Sequence, residues 1–149
     1  MAHAQQQILD ALAALLSSGG TVAGTRVFVD RVDPLQANEL PAILIEEDQE
    51  GESAEPYTIH GVEQRELSVL VSGVLSHSTT AAADARALGL AMEKLIAPST
   101  ALAALAKLGV RITHSRLVIT GELDRLLAAR QQSWRFTYLV NAATPDVIF

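Results

Sequence analysis

The sequence predicts one α+β domain spanning residues 1–149: a mostly antiparallel or mixed sheet of about five strands with two main helices packed against it. Three observations carry this expectation. Two segments repeat apolar residues at helical spacing, and several others alternate apolar and polar residues with period two. The chain has 149 residues, 49% of them hydrophobic and 19% charged, enough apolar surface for a single core. The elements come in the order α-β-β-β-α-(α)-β-β, and consecutive strands at both ends favour antiparallel pairing.

Taken in order, Ile8, Leu9, Leu12, Leu15 and Leu16 form one stripe on a helix over Ala4–Ser17. Ser18-Gly19-Gly20 stops it, because glycine accepts the left-handed turn that ends helices. Arg26–Arg31 alternates as a short strand closed by Pro34, and Ala42–Glu47 follows Pro41 as a second. Asp48–Gly61, with two glycines, a proline and four carboxylates, reads as a loop. Val62–Ser76 is a long strand with apolar residues on both faces, and Gly73 suggests a bulge or bend in it. The second helix runs over Thr79–Ala97 with Ser78 or Thr79 as N-cap and Pro98 as stop; a short helical turn follows over Ser99–Lys107. Strands over Val110–Thr120 and Gln132–Asn141 complete the chain. In the last, Trp134, Phe136, Tyr138 and Val140 alternate with polar neighbours.

Composition narrows the function. The absence of cysteine leaves neither a disulfide framework nor a thiolate metal site. Aromatics at 4% and a net charge of −6 both argue against a nucleic-acid binder, which needs stacking platforms and clustered cations. The N-terminus lacks the basic start of a signal peptide, Asp10 interrupts its apolar stretch, and no apolar run is long enough to span a membrane, so a cytoplasmic compartment is expected. The charge is uneven: residues 1–66 hold 12 acids against 3 bases, and residues 67–149 hold 5 against 8. Nine of the 11 bases are arginine, the cation enriched at protein interfaces.

No catalytic constellation is visible. His3, His60, His77 and His114 are scattered, and none has an i, i+4 partner of the helical zinc type. There is no phosphate-binding loop, dinucleotide fingerprint or nucleophile elbow. His114 and Ser115, as neighbours on a strand, point to opposite faces. The acidic group Glu46, Glu47, Asp48, Glu50, Glu52 and Glu55 lacks the alternation of a calcium loop, and as a solvated surface it would repel DNA. No enzyme activity and no cofactor are expected. At the end of the sequence, Val147, Ile148 and Phe149 need an apolar home, on their own domain or docked on a neighbour, with their own domain preferred.

The stretch Val27–Ile45 (VFVDRVDPLQANELPAILI) resembles the tail terminator proteins of long-tailed bacteriophages, the minor tail protein U group. The order of the remaining features agrees over nearly the whole chain: an N-terminal helix ending in Gly, an acidic loop, a long strand, a central helix (ALGLAMEKLI), and a Thr-Gly-Glu turn before an aromatic strand (SWRFTYLVN). The resemblance implies a structural subunit of a homohexameric ring. Such a ring caps the tail tube, stops its polymerisation and offers the head-tail connector protein a surface. It would sit in the virion at the tail-neck junction, be assembled in the bacterial host cytoplasm, and have no enzymatic activity. Its partners would be further copies of itself, the tail tube protein and the connector, with DNA passing through the lumen unbound. The matching positions are Asp30, Arg31, Pro34, Leu35, Glu39, Leu40 and Pro41, without a role fixed for each.

A ring needs a heterologous contact, one patch against a different patch on the next copy. The charge split suits this if Asp30, Asp33 and Glu39 face Arg111, Arg116, Arg125 or Arg130 of the adjacent copy. Otherwise the charges solvate opposite faces of a monomer. Asp48, Glu50, Glu52 and Glu55 are the candidates for lining a lumen. Alternatives are another phage neck, tail-completion or tube protein, or a small dimeric ligand-binding α+β domain.

Overall fold

The computed structural model describes residues 2–58, 60–122 and 125–149. The elements are helix α1 (Ala4–Ser17), strand β1 (Val27–Val29), a 3-10 turn (Ala37–Glu39), β2 (Ala42–Pro56), β3 (Val62–Ser76), α2 (Ala81–Ile96), α3 (Thr100–Leu105), β4 (Gly109–Glu122) and β5 (Arg125–Asn141). They form a five-stranded mixed sheet in the order β1-β2-β3-β5-β4, with the helices on one face. This is the α+β arrangement expected.

The core lies between that face and the helices. Ala4, Ile8, Leu12 and Leu16 repeat every fourth residue of α1 and are all fully buried. From α2 come Ala85, Leu88, Met92 and Ile96, and from β5 Trp134, Phe136, Tyr138 and Val140. His3 caps α1, its Nδ1 accepting from the Gln5 N–H at 3.1 Å. A second, smaller core lies on the opposite, outer face. There the segment linking β1 to β2 folds over the sheet, burying Leu35 against Ala42, Val74, Leu127 and Ala129.

Several expectations are corrected. β1 and β2 pair in parallel, Val27 opposite Ile43, because the chain returns over the outer face instead of turning back as a hairpin. The segment expected as an acidic loop is mostly strand: β2 continues to Pro56 beside β3, and only 57–61 connects them. Its loop-like composition reflects a bulge, since β2 spends five steps from Glu47 to Glu52 against two of β3, with Gly51 at φ 62°. The last two strands form a hairpin longer than expected. Helix α2 starts at Ala81 with Thr80 as N-cap, and the Thr80 hydroxyl bonds Asp84 at 3.0 Å rather than the helix backbone.

Gly73 is neither bulge nor bend: its register with Ile43 and Arg130 is unbroken. Its role is close approach, because a Cβ there would lie 2.8 Å from Leu88 Cγ. Gly73→Val is therefore expected to overpack the α2–sheet contact and cost about 1–3 kcal/mol. Chemical denaturation checks this, and an unchanged midpoint would contradict it.

Candidate functional site

The outer face of the sheet holds an open groove of about 730 Å³. Alternation along β5 sends Gln131, Ser133 and Arg135 to this face, while Gln132, Trp134 and Phe136 enter the core. Pairing then brings His114 of β4 beside Ser133 and Arg116 beside Gln131. The opposite wall is acidic, with Glu46, Glu47, Asp48 and Glu50 of β2. The bulge makes this wall by arching over β3. Asp48 accepts from the Ser133 hydroxyl at 2.8 Å, and Glu50 accepts from Arg135 at 3.3 Å and Ser68 at 3.4 Å. Arg135 also lies 3.9 Å from Glu66. The Arg116 Nε donates to Gln131 at 3.1 Å. One wall is thus anionic and the other cationic, with polar hydroxyls and amides between.

The sequence-selected residues divide into several groups. Arg31 and Glu39 pair within the chain, at 2.6 and 2.8 Å, and Arg31 also lies 4.5 Å over the Phe28 ring. The hydrogen bond from Arg31 holds the Glu39 carboxyl below its ordinary range, and the same bond raises the Arg31 guanidinium. Glu39 also accepts from the Gln36 N–H at 3.0 Å, and Arg31 donates to the Pro34 carbonyl at 3.2 Å, so this constellation shapes the β1–β2 connection. Leu35 is buried beneath it, Leu40 packs partly against it, and the Pro41 carbonyl accepts from Arg26 at 2.8 Å. Asp30, at φ 54°, ends β1 and is exposed. Asp33 is exposed and borders a cleft over the outer face that Thr120 also lines.

Arg111 and Arg116 are exposed on edge strand β4. Arg130 is half-buried on the helix side, its Cγ beside Gly89. The Arg125 side chain lies outside the described residues, although its backbone opposes Glu122 in the hairpin.

Of the four carboxylates chosen to line a lumen, Asp48 and Glu50 face the groove and Glu55 is exposed beside Gln64. Glu52 turns the other way. Its carboxylate accepts from the Tyr138 hydroxyl, from Gln5 at 2.6 Å and from Arg65 at 3.4 Å. Burial, then the bond to Glu52, pushes the Tyr138 hydroxyl well above its usual range. At the end of the chain, Ile148 bridges to Val140 and packs on the core, and the Phe149 N–H bonds Leu139 at 3.0 Å. Val147 and Phe149 remain 40% and 44% exposed, so of the three apolar residues Ile148 alone packs against this domain's core, and it does so partly buried.

The roles of Ser133 and Arg135 do not show in the sequence because each joins residues far apart in the chain, 85 positions for both Asp48–Ser133 and Glu50–Arg135; Arg65 reaches Glu52 across the β2–β3 ladder, which the expected loop concealed. Among the described residues no group of three His, Asp or Glu side chains is placed to hold a metal ion, and no helix is long and apolar enough to cross a membrane.

No protein-family profile matches the chain, and no curated protein matches it. Among solved structures it is similar to a chain of the virion of a native gene transfer agent particle, at 15% identity and a TM-score of 0.45, covering 91% of this chain and 92% of that one.

Proposed function

We propose that this protein is a structural subunit of a phage-type tail, a tail terminator whose hexameric ring caps the tail tube and presents a surface to the head-tail connector. The single observation that supports this best is the segregation of charge at the sheet's two edges. Asp30 ends edge strand β1, and Arg111 and Arg116 stand on edge strand β4 at the other end of the sheet. Opposite charges at opposite ends suit a head-to-tail contact, the kind that closes into rings. The Val27–Ile45 resemblance says which ring. In it, Asp48, Glu50 and Glu55 face the lumen and keep passing DNA from adhering; Glu52, committed to Tyr138 and Arg65, is not among them. The protein acts by capping, without catalysis or cofactor.

Negative-stain microscopy and light scattering, with and without tail tubes, test this. The expected result is closed rings of six 15.9 kDa subunits at tube ends, weakened by high salt and by Arg111→Glu with Arg116→Glu. Open-ended tubes built of this chain would indicate a tube protein instead. The outer-face groove, about 730 Å³, favours a second reading as a small dimeric ligand-binding domain, and a dimer unaffected by tubes would select it.

A further inference from the structure

On the helix side of the sheet, beside α2, lies a cavity of about 320 Å³. Its lining is apolar, including Val22, Pro41, Leu75, Leu88 and Ala91, apart from the Asp84 carboxylate. Val22 is 66% exposed, so this apolar lining opens to solvent. Arg26 borders the Val22–Pro41 side, where its guanidinium donates to the Pro41 carbonyl at 2.8 Å and the Val22 carbonyl at 3.0 Å. Those bonds hold the guanidinium without neutralising it. The pocket therefore has a cation on one side, an anion on the α2 side, and apolar walls between.

The far end of β5 carries an apolar ridge. There the Leu108 N–H bonds Thr137 at 3.1 Å, the Phe149 N–H bonds Leu139 at 3.0 Å, and the Asn141 N–H bonds Val147 at 3.1 Å, which sets the three residues in a row along the strand. Ile148 packs on the core, and alternation turns Val147 and Phe149 the other way. Leu108, Phe149 and Val147 are 44%, 44% and 40% exposed. An exposed Lys107 precedes Leu108 and Asp146 precedes Val147, so the ridge too has a cation at one end and an anion at the other. It cannot reach the pocket of its own chain. Leu75 of the pocket pairs with Ala128, and the ridge is bonded at Leu139, about 36 Å away along β5 at the rise of a strand.

We infer that the pocket is filled by Phe149 of a second copy of this chain, with Asp146 toward Arg26 and Lys107 toward Asp84. The opposite insertion sets like charges together, so the charges fix the polarity of the contact. Ridge and pocket are different patches at opposite ends of β5, so each copy enters one neighbour and receives another, which is the heterologous contact a ring requires. The inference rests on the ring reading and names the contact that closes it. An aromatic anchor seated in a pocket carries a large share of an interface's affinity.

The natural chain has no cysteine, so introduced thiols report this contact alone. Ala87 lines the pocket and, like Val147, is exposed, so a protein carrying both Ala87→Cys and Val147→Cys keeps Phe149 intact. It is assembled on tail tubes and treated with a short bis-maleimide. The expected result is a ladder of covalent oligomers that neither single variant gives. In parallel, Phe149→Ala and the pocket-filling Ala87→Trp should each raise the concentration needed for rings about tenfold. Rings that form without the ladder, and at unchanged concentration in both of these variants, overturn the docking and leave the ring standing. If the unsubstituted chain forms no oligomer on tubes, both the docking and the ring reading fall.

Discussion

Replacing Glu52 by leucine is expected to lower stability by about 2–4 kcal/mol, an effect out of proportion to its place in a segment that reads as loop. The carboxylate is 9% exposed and gathers three donors, Tyr138, Gln5 and Arg65. Removing it strands a hydroxyl at the edge of the core and leaves Arg65, 16% exposed, with Glu63 at 3.4 Å as its remaining ion-pair partner. The Arg65 Nε already lacks a hydrogen-bond partner. The figure stays below that for a fully buried pair because water still reaches part of both groups. If the cost comes from stranded polar groups, Glu52→Leu combined with Arg65→Met and Tyr138→Phe recovers most of it, which denaturant titration measures directly. A triple variant as unstable as the sum of its parts would refute this account.

The same cluster sets a pH dependence. The Tyr138 hydroxyl is raised above its ordinary value of 10.0 by burial and by its bond to Glu52. A group raised in the folded state stabilises fully below its unfolded value and loses that contribution as pH rises past it. Stability should therefore fall above about pH 10, and Tyr138→Phe should flatten that alkaline limb while lowering stability at neutral pH.

How legible these features were depends on the range of the interactions behind them. Helix α1 and strand β5 stand in the sequence because a single face of each is apolar at the period of its own backbone; Ile8, Leu12 and Leu16 or Trp134, Phe136 and Tyr138 suffice. The β2 extension does not, because residues 48–56 are held by a ladder to β3 and by Glu52 reaching Tyr138, 86 positions away, while their composition is that of a surface. The parallel β1–β2 pair was hidden for a related reason. Its return segment is fixed by the Arg31–Glu39 pair and by Leu35 in the second core, and neither shows as periodicity. The candidate site follows the same rule. Its charges were visible in the count of acids and bases, and their arrangement into two walls and two edges required the strand order.

Gln132 is the second position where a large loss is expected, and for it the alternation of β5 is misleading. It falls on the core-facing side, between Arg130 and Trp134, and is 1% exposed. Its side chain completes a buried relay: the amide Nε2 donates to the Gly89 carbonyl of α2 at 2.9 Å, and Oε1 accepts from the Trp134 indole N–H at 3.1 Å. It therefore couples helix to sheet at a point of close approach, since a Cβ on Gly89 would lie 2.8 Å from Arg130 Cγ. Gln132→Leu keeps much of the volume but removes both partners, so the indole N–H of a residue 2% exposed is left unbonded. The expected cost is about 2–3 kcal/mol, mostly the desolvation of that donor. Adding Trp134→Phe removes the stranded N–H, so the double variant should be destabilised by less than the sum of the two singles. Trp134 is the chain's one tryptophan, so its fluorescence reports the loss at the site itself. If the two losses simply add, Gln132 is space-filling rather than a bridge. If they do not, the amide is what locks α2 onto the sheet, and the edges that carry the proposed ring contact stand on a rigid support.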